Sequence, residues 1–326
     1  MPPSANEPSN TNAPIFSLST MWSQGNFPRD GEDGDHMPDF AAKAAQLGFS
    51  HVEINYVIPP ASVDALIECG HVEFSSVHSP CPRVKMPDGR HSENLNLAAQ
   101  DQEERRLAVD VAKASVDTAV RAGCALIVVH LGGIGSKMFE EEKTLRKGYD
   151  GGLQSGPEFN HLVESARKRR CEMAPDWFPH AQRSLAELAE YAAPKGVTIG
   201  LENRYHFSEF PDPDEMAVLL ADYPPEVAGF WLDIGHAEVL ERLGFHGHTR
   251  WLNQLGDRCV GVHVHDTDGL ADHRAPGHGA TDWPHYAAKL PPLIPRVYEI
   301  NQRQPEERVA ASTAFLRSVG ILPRTP

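Results

Sequence analysis

Short apolar runs rich in β-branched residues alternate along this chain with longer amphipathic stretches. Each run is five or six residues long, as expected for buried parallel strands. Eight such runs predict strands at Ile15–Ser19, His51–Tyr56, Phe74–His78, Ala125–His130, Val197–Glu202, Gly229–Asp233, Val260–His265 and Arg296–Ile300.

The stretches between these runs carry apolar residues at helical spacing. In the last stretch Val309, Thr313 and Leu316 share one face, and Glu306 and Glu307 begin the solvent face. The same pattern predicts helices at Met37–Leu47, Ala61–Cys69, Leu97–Ala122, Asn160–Ala193, Pro213–Ala221, Ala237–Leu243, His248–Leu255, Trp283–Leu290 and Pro305–Val319.

Strands and helices in alternation favour a single (β/α)8 TIM barrel over residues 15–326. A doubly wound open sheet is the alternative, but such a sheet usually gathers its site at one switch point. Here polar residues follow many strands. Residues 1–14 are rich in Pro, Ser and Asn and are expected to form a disordered leader. The stretch Leu131–Glu158 is expected to be a loop over the barrel mouth.

The composition is that of a globular chain with an acidic surface. Hydrophobic residues make up 40% and charged residues 23% of the chain. A net charge of −15 works against binding to nucleic acid or to an anionic membrane. No apolar run approaches the ~20 residues of a membrane span. The five cysteines are scattered without a Cys-x-x-Cys pair, which favours a reducing, cytoplasmic location.

The last four predicted strands carry an acidic or imidazole side chain at or near their carboxyl ends: Glu202, Asp233, His263 and Glu299. Such a group at the tip of an apolar strand is costly unless it is paired or bound to a metal. The carboxyl ends of barrel strands converge on one axis, so the four side chains are expected to meet. Each alone could be an ordinary salt-bridged or capping residue, but four in phase with the strands favour a shared site. Their O/N donor set suits Mn²⁺, Mg²⁺, Co²⁺ or Zn²⁺.

The motifs around these tips resemble those of the xylose isomerase-like TIM barrel superfamily. This superfamily comprises sugar phosphate isomerases and epimerases and, more distantly, the AP endonucleases. The resemblance rests on Leu-Glu-Asn at 201–203, Leu-Asp-Ile-Gly-His-Ala at 232–237, Val-His-Val-His-Asp at 262–266 and Gly-His-Gly-Ala-Thr-Asp-Trp at 277–283. It implies one divalent metal on Glu202, Asp233, His263 and Glu299. His263 is preferred because the family ligand lies three residues before the aspartate of its motif. His265 lies on the same strand face and is the alternative.

The resemblance also implies a reaction on a small-molecule sugar. Glu202 and Glu299 would approach the sugar from opposite sides, one removing the α-proton and the other returning it to an enediolate. Return to the opposite face gives epimerisation, and transfer between adjacent carbons gives isomerisation. A dehydratase on the same barrel and a catalytically silent sugar-binding barrel are the alternatives.

Further polar residues are expected to contact substrate or a second metal: His78, His130, His236, His265, His273 and Arg274. The resemblance to AP endonucleases places four of these histidines at positions of their three-zinc cluster. A multinuclear zinc phosphoesterase is therefore a further alternative. The acidic ligand expected two residues before His273 is absent, because Ala271 stands there and Asp272 lies one place off.

Three other features complete the sequence-based expectations. Trp22 follows the first strand and is expected to line the substrate pocket, whereas Trp231 is expected to pack between strand and helix. Residues 132–137, Gly-Gly-Ile-Gly-Ser-Lys, lack the spacing of a phosphate loop and are expected to begin a flexible loop. The segment Asn160–Ala193 carries Trp177 and Phe178 and is expected to contribute contacts in a homodimer or homotetramer, as oligomers are common in the family.

Overall fold

A computed structural model describes residues 14–29 and 34–324. Its strands are β1 (Phe16–Ser19), β2 (His51–Ile54), β3 (Glu73–His78), β4 (Leu126–Val129), β5 (Thr198–Glu202), β6 (Ala228–Asp233), β7 (Cys259–His263), β8 (Asp266–Asp268), β9 (Ala271–Arg274) and β10 (Arg296–Tyr298). Eight of them are parallel and close into a barrel in the order β1-β10-β7-β6-β5-β4-β3-β2. This confirms the (β/α)8 TIM barrel and all eight predicted strands. The other two, β8 and β9, form a short antiparallel hairpin.

Helices follow the strands around the outside of the barrel. They are α1 (Met37–Gln46), α2 (Pro60–Glu68), α3 (Gln102–Ala122), α4 (Glu140–Gly148), α5 (Pro157–Ala192), α6 (Pro213–Leu220), α7 (Ile234–Arg242), α8 (Thr249–Leu255), α9 (Trp283–Lys289) and α10 (Glu306–Ser318). No helix in the described ranges is long and apolar enough to cross a membrane. The predicted leader, residues 1–14, lies outside the described residues except for Pro14.

Helix α3 begins five residues later than the apolar pattern predicts. The side chain of Asp101 accepts hydrogen bonds from the backbone N–H groups of Glu103 and Glu104, which caps the helix there. The expectation that the helix starts at Leu97 was therefore wrong. Its C-terminal end is as predicted, because Gly123 takes the left-handed conformation, with φ of 73°, and closes the helix.

Helix α4 lies inside the stretch that was expected to be a loop throughout, Leu131–Glu158, and that expectation was wrong. The helix is highly charged, with acidic residues in its first turn and basic residues in its last, as the helix dipole favours. It docks through Leu145 and through Glu142, which is buried and accepts hydrogen bonds from Arg146 and from the backbone of Phe207. Because Leu145 is the one apolar side chain within Glu140–Gly148, the sequence offers no row of apolar residues from which to predict the helix.

The lower interior of the barrel is filled by a cluster of Leu126, Val128, Trp231 and Val297. Trp231 therefore lies inside the barrel, and the expectation that it packs between strand and helix was wrong. Its indole has room because Gly261 stands opposite it on β7, where a Cβ would lie 2.1 Å from the ring. The Trp231 and His263 rings meet edge to face at 5.0 Å, so the indole supports the residues at the mouth from below.

We expect Gly261→Ala to lower the free energy of unfolding by about 1–3 kcal/mol, because the added methyl group overpacks the barrel interior. Urea unfolding followed by circular dichroism measures this loss. Gly247→Ala is the matched control, since a Cβ at Gly247 has no atom within 4 Å. It should change stability by no more than about 0.5 kcal/mol. Equal losses in both variants would contradict the tight fit around Trp231.

Candidate functional site

Each of the last four barrel strands leads to a buried carboxylate or imidazole at the mouth. Strands β5, β6 and β7 end at Glu202, Asp233 and His263, and Glu299 directly follows β10. None of the four is more than 2% exposed. One ligand atom from each side chain lies within 4.8 Å of those of the other three. The structure thus brings together the four side chains that the sequence assigns to a metal.

His263 stands at the centre of this group. Its Nδ1 atom lies 3.1 Å from Glu299 Oε2, 3.3 Å from Glu202 Oε1 and 3.6 Å from Asp233 Oδ2. Its Nε2 atom lies 3.1 Å from Glu53 Oε2. A neutral imidazole that donates from Nε2 to Glu53 turns the lone pair of Nδ1 toward the other carboxylates. A divalent cation fits this donor set, and a carboxylate behind a histidine is the usual support of a metal ligand.

The carboxylates of the site remain ionised despite their burial. Burial alone would raise the pKa of Glu202, but His130 and His263 hold that pKa well below its usual range. The pKa of Asp233 is likewise held well below its usual range, because His236, His265 and His263 together outweigh the effect of burial. Positive charge, from protonated imidazoles or from a cation, is therefore a requirement of the folded site.

The hydrogen bonds of His265 differ from those of His263. His265 Nδ1 accepts a hydrogen bond of 2.9 Å from the backbone N–H of His273, so its proton is on Nε2. That Nε2 atom lies 2.9 Å from Asp233 Oδ2, to which it donates. Both ring nitrogens of His265 are engaged, although it too lies within 4.8 Å of Asp233, His273 and Glu299. The geometry favours His263 as the ligand and gives His265 the role of holding Asp233.

His78 and His130 meet on the other side of Glu202. Their Nε2 atoms lie 3.2 Å and 2.7 Å from Glu202 Oε2, and the three side chains could hold an ion. His78 Nδ1 lies 3.2 Å from the carbonyl oxygen of Ser79 and donates to it. Burial and the charge of Arg204 lower the pKa of His130 to about 3, against the opposing effect of Glu202.

His236 and His273 form a third group with Asp272. His236 Nδ1 donates to the carbonyl oxygen of Asn203 at 3.0 Å, which leaves Nε2 free, 3.7 Å from Asp272 Oδ2. His273 lies 3.0 Å from Asp272 and 3.2 Å from Glu299. Asp272 was not among the expected site residues, because it stands one place from the expected acidic position. Asp272 lies on β9 of the hairpin, directly before His273. The backbone of His273 has a φ of 53°, a left-handed conformation uncommon outside glycine.

Three buried residues of the site were not among the expected site residues. Glu53 on β2 accepts hydrogen bonds from Ser76 Oγ at 2.8 Å and from His263. Asn55 donates to Glu299 Oε1 at 2.8 Å. Asn203 donates to the carbonyl oxygen of Asp233 and accepts from its backbone N–H, which joins the ends of β5 and β6. Glu53 could have been found from the sequence, since it is a carboxylate in a predicted apolar strand, as are Glu202, Asp233 and Glu299.

Two residues assigned to the site, Trp22 and Arg274, make their contacts outside the ligand groups. Trp22 is 3% exposed, donates from Nε1 to the carbonyl oxygen of Gln304 at 2.9 Å and packs edge to face on Phe27. Arg274 lies 3.1 Å from Asp268 across the hairpin. In the described part of the chain, neither residue lines the two cavities that adjoin His130.

These two cavities adjoin the site at His130, which lies 2.7 Å from Glu202. A groove of about 920 Å³ runs from His130 and Arg204 past the 132–137 loop to Trp177. A smaller cavity of about 160 Å³ lies behind His130 and is lined by Tyr56, Ser79 and Arg204 among others. The groove has room for a sugar.

The comparisons with known proteins agree with this architecture. The family model described as xylose isomerase-like TIM barrel matches residues 41–319. No curated protein matches by sequence. Among solved structures, a D-tagatose 3-epimerase-like protein superposes with a TM-score of 0.63 at 20% identity, covering 94% of this chain and 96% of that one. The 3-keto-D-glucoside 4-epimerase of E. coli gives a TM-score of 0.62 at 15% identity, covering 94% and 99%.

The D-allulose 3-epimerase of Methylomonas sp. gives a TM-score of 0.62 at 16% identity, covering 94% of this chain and 98% of that one. At these identities the likeness concerns the fold. The family model, in contrast, matches most of the chain. This protein therefore belongs to the family of xylose isomerase-like TIM barrels.

Proposed function

We propose that this protein is a divalent-metal-dependent sugar isomerase or epimerase in which Glu202 and Glu299 transfer the proton. The observation that carries the proposal is their placement. They follow strands separated by two others in the barrel, yet both reach His263 Nδ1, at 3.3 and 3.1 Å. The names of the structurally similar epimerases support the same class of reaction.

In this proposal Glu202, Asp233, His263 and Glu299 would hold the metal, which supplies a Lewis acid that stabilises negative charge on a substrate oxygen. Glu202 and Glu299 are both ionised and can each accept a proton from the carbon beside a carbonyl group. His130 donates to Glu202, and Asn55 donates to Glu299, so both carboxylates are fixed in orientation. The glutamate that removes this proton becomes neutral. The second glutamate takes up a proton from solvent and gives it to the enediolate, and the first then releases its proton to solvent, so both are ionised again.

The position of the returned proton determines the product. Return to the opposite face of the same carbon gives an epimer, and transfer to the adjacent carbon gives an aldose from a ketose. The orientation of the sugar in the groove between His130 and Trp177 would decide between these outcomes. Loss of a β-hydroxyl group instead would make the enzyme a dehydratase.

We expect metal-loaded protein to exchange an α-proton of its ketose substrate for deuterium in D₂O. Glu202→Gln and Glu299→Gln should each slow this exchange by about 10²–10⁴-fold, because each removes a proton-transfer group. NMR of a panel of ketoses measures the exchange. Glu307→Gln, on the exposed face of α10, is the matched control. Full exchange in either site variant would remove that glutamate from the mechanism, and no exchange with any ketose would contradict the proposal.

We expect Glu53→Gln to weaken metal binding by about 10–100-fold, because a neutral amide supports His263 less well than a carboxylate. Competition with a metal-sensitive dye measures the affinity directly, without relying on turnover. Glu142→Gln replaces another buried carboxylate, in α4, and should leave the metal affinity unchanged. An unchanged affinity in Glu53→Gln would show that the contact between Glu53 and His263 does not support the metal.

A second candidate function is favoured by the position of Asp272. Together with His236 and His273 it forms a ligand group beside the central one, and His78, His130 and Glu202 form another. We propose as the alternative a multinuclear phosphoesterase of the AP-endonuclease type. The net charge of −15 works against a duplex-DNA substrate.

A phosphoesterase would cleave an abasic oligonucleotide or bis(p-nitrophenyl) phosphate when loaded with Zn²⁺. In that case Asp272→Asn should lower the rate strongly, since it weakens one of the ligand groups. Asp268→Asn, on the same hairpin but outside these groups, is the control. If the zinc-loaded protein cleaves neither compound, the alternative is eliminated.

A further inference from the structure

Arg204 is a nearly buried guanidinium whose donors are only partly used. Its side chain is 12% exposed, and Nη2 lies 3.3 Å from Glu209 Oε1. Nη1 approaches Glu202 Oε2 no closer than 3.9 Å. Among the described residues, neither Nε nor Nη1 of Arg204 has a hydrogen-bond partner. Unpaired donors of a buried cation are costly, which indicates that another group pairs with them.

The surroundings of Arg204 are open to a ligand. Arg204 and His130 line both the small cavity behind His130 and the large groove. The 132–137 loop forms another wall of the groove and contributes Lys137, which is exposed. Lys137 has no ion-pair partner among residues 14–29 and 34–324.

The other charges along the groove are already matched. Arg90 is paired with Asp88 at 2.7 Å and with Glu104 at 3.1 Å. Glu93 is paired with Arg83 at 2.7 Å, and Asp101 caps α3. Arg204 and Lys137 are therefore the cations of this groove with capacity for an additional anion.

We propose that Arg204 binds an anionic group of the substrate, so that the substrate is a sugar acid or a sugar phosphate and not a neutral sugar. A planar guanidinium presents paired N–H donors that match the oxygens of carboxylates and phosphates. Because Arg204 lies beside Glu202, the anionic group would sit close to the reacting carbons. This inference rests on the proposed isomerase or epimerase function.

The test compares inorganic phosphate, D-fructose 6-phosphate, D-glucuronate and D-fructose by isothermal titration calorimetry on the metal-loaded protein. We expect one of the two charged sugars to bind about 10-fold or more tightly than D-fructose, and which one binds identifies the anion. Arg204→Gln should lose about 10-fold or more of that affinity, whereas Arg204→Lys, which keeps the charge, should lose less. Arg90→Gln removes a cation that is already paired and should not change it.

Three results would overturn the proposal. They are equal binding of charged and neutral sugars, unchanged affinity for the charged sugars in Arg204→Gln, and binding of phosphate that disappears when a chelator removes the metal. The last result would place the anion on the metal. Deuterium exchange is a separate readout. If the protein exchanges deuterium but its preference for charged over neutral sugars does not depend on Arg204, only the anion subsite is rejected. If that preference depends on Arg204 but no deuterium is exchanged, only the proposed reaction is rejected.

Discussion

The burial of several carboxylates at one end of the barrel is the constraint on which the rest of this structure depends. Glu53, Glu202, Asp233 and Glu299 are each no more than 2% exposed and lie around one imidazole, that of His263. Such a group of charges is unstable unless positive charge is supplied at its centre. Protonated histidines can supply that charge, and a divalent cation supplies it in a form that can also polarise a substrate.

The surrounding architecture holds these carboxylates in place. Trp231 fills the barrel beneath His263, and Gly261 provides the space for its indole. Asn203 connects the ends of β5 and β6, and His265 donates a hydrogen bond to the carboxylate of Asp233. The site is thus attached to barrel strands, which are more rigid than loops and suit a reaction that needs fixed proton-transfer groups.

The sequence predicted the barrel well because its strands are apolar, short and regularly spaced, and because strand tips in a barrel must converge. It predicted α4 poorly because that helix docks through a buried carboxylate, Glu142, and shows no apolar stripe. Asp272 was missed because its position depends on the left-handed conformation of His273. The choice between His263 and His265 required the hydrogen bonds of both rings, which strand periodicity alone does not reveal.

The central claim is that Glu202, Asp233, His263 and Glu299 bind one catalytic divalent ion. Elemental analysis of the purified protein, combined with anomalous diffraction from its crystals, tests this claim most directly. The account predicts one tightly held ion per chain, coordinated by these four side chains and by His263 through Nδ1. An ion located elsewhere, no ion after incubation with any of Mn²⁺, Mg²⁺, Co²⁺ or Zn²⁺, or a cluster of two or three ions would contradict it.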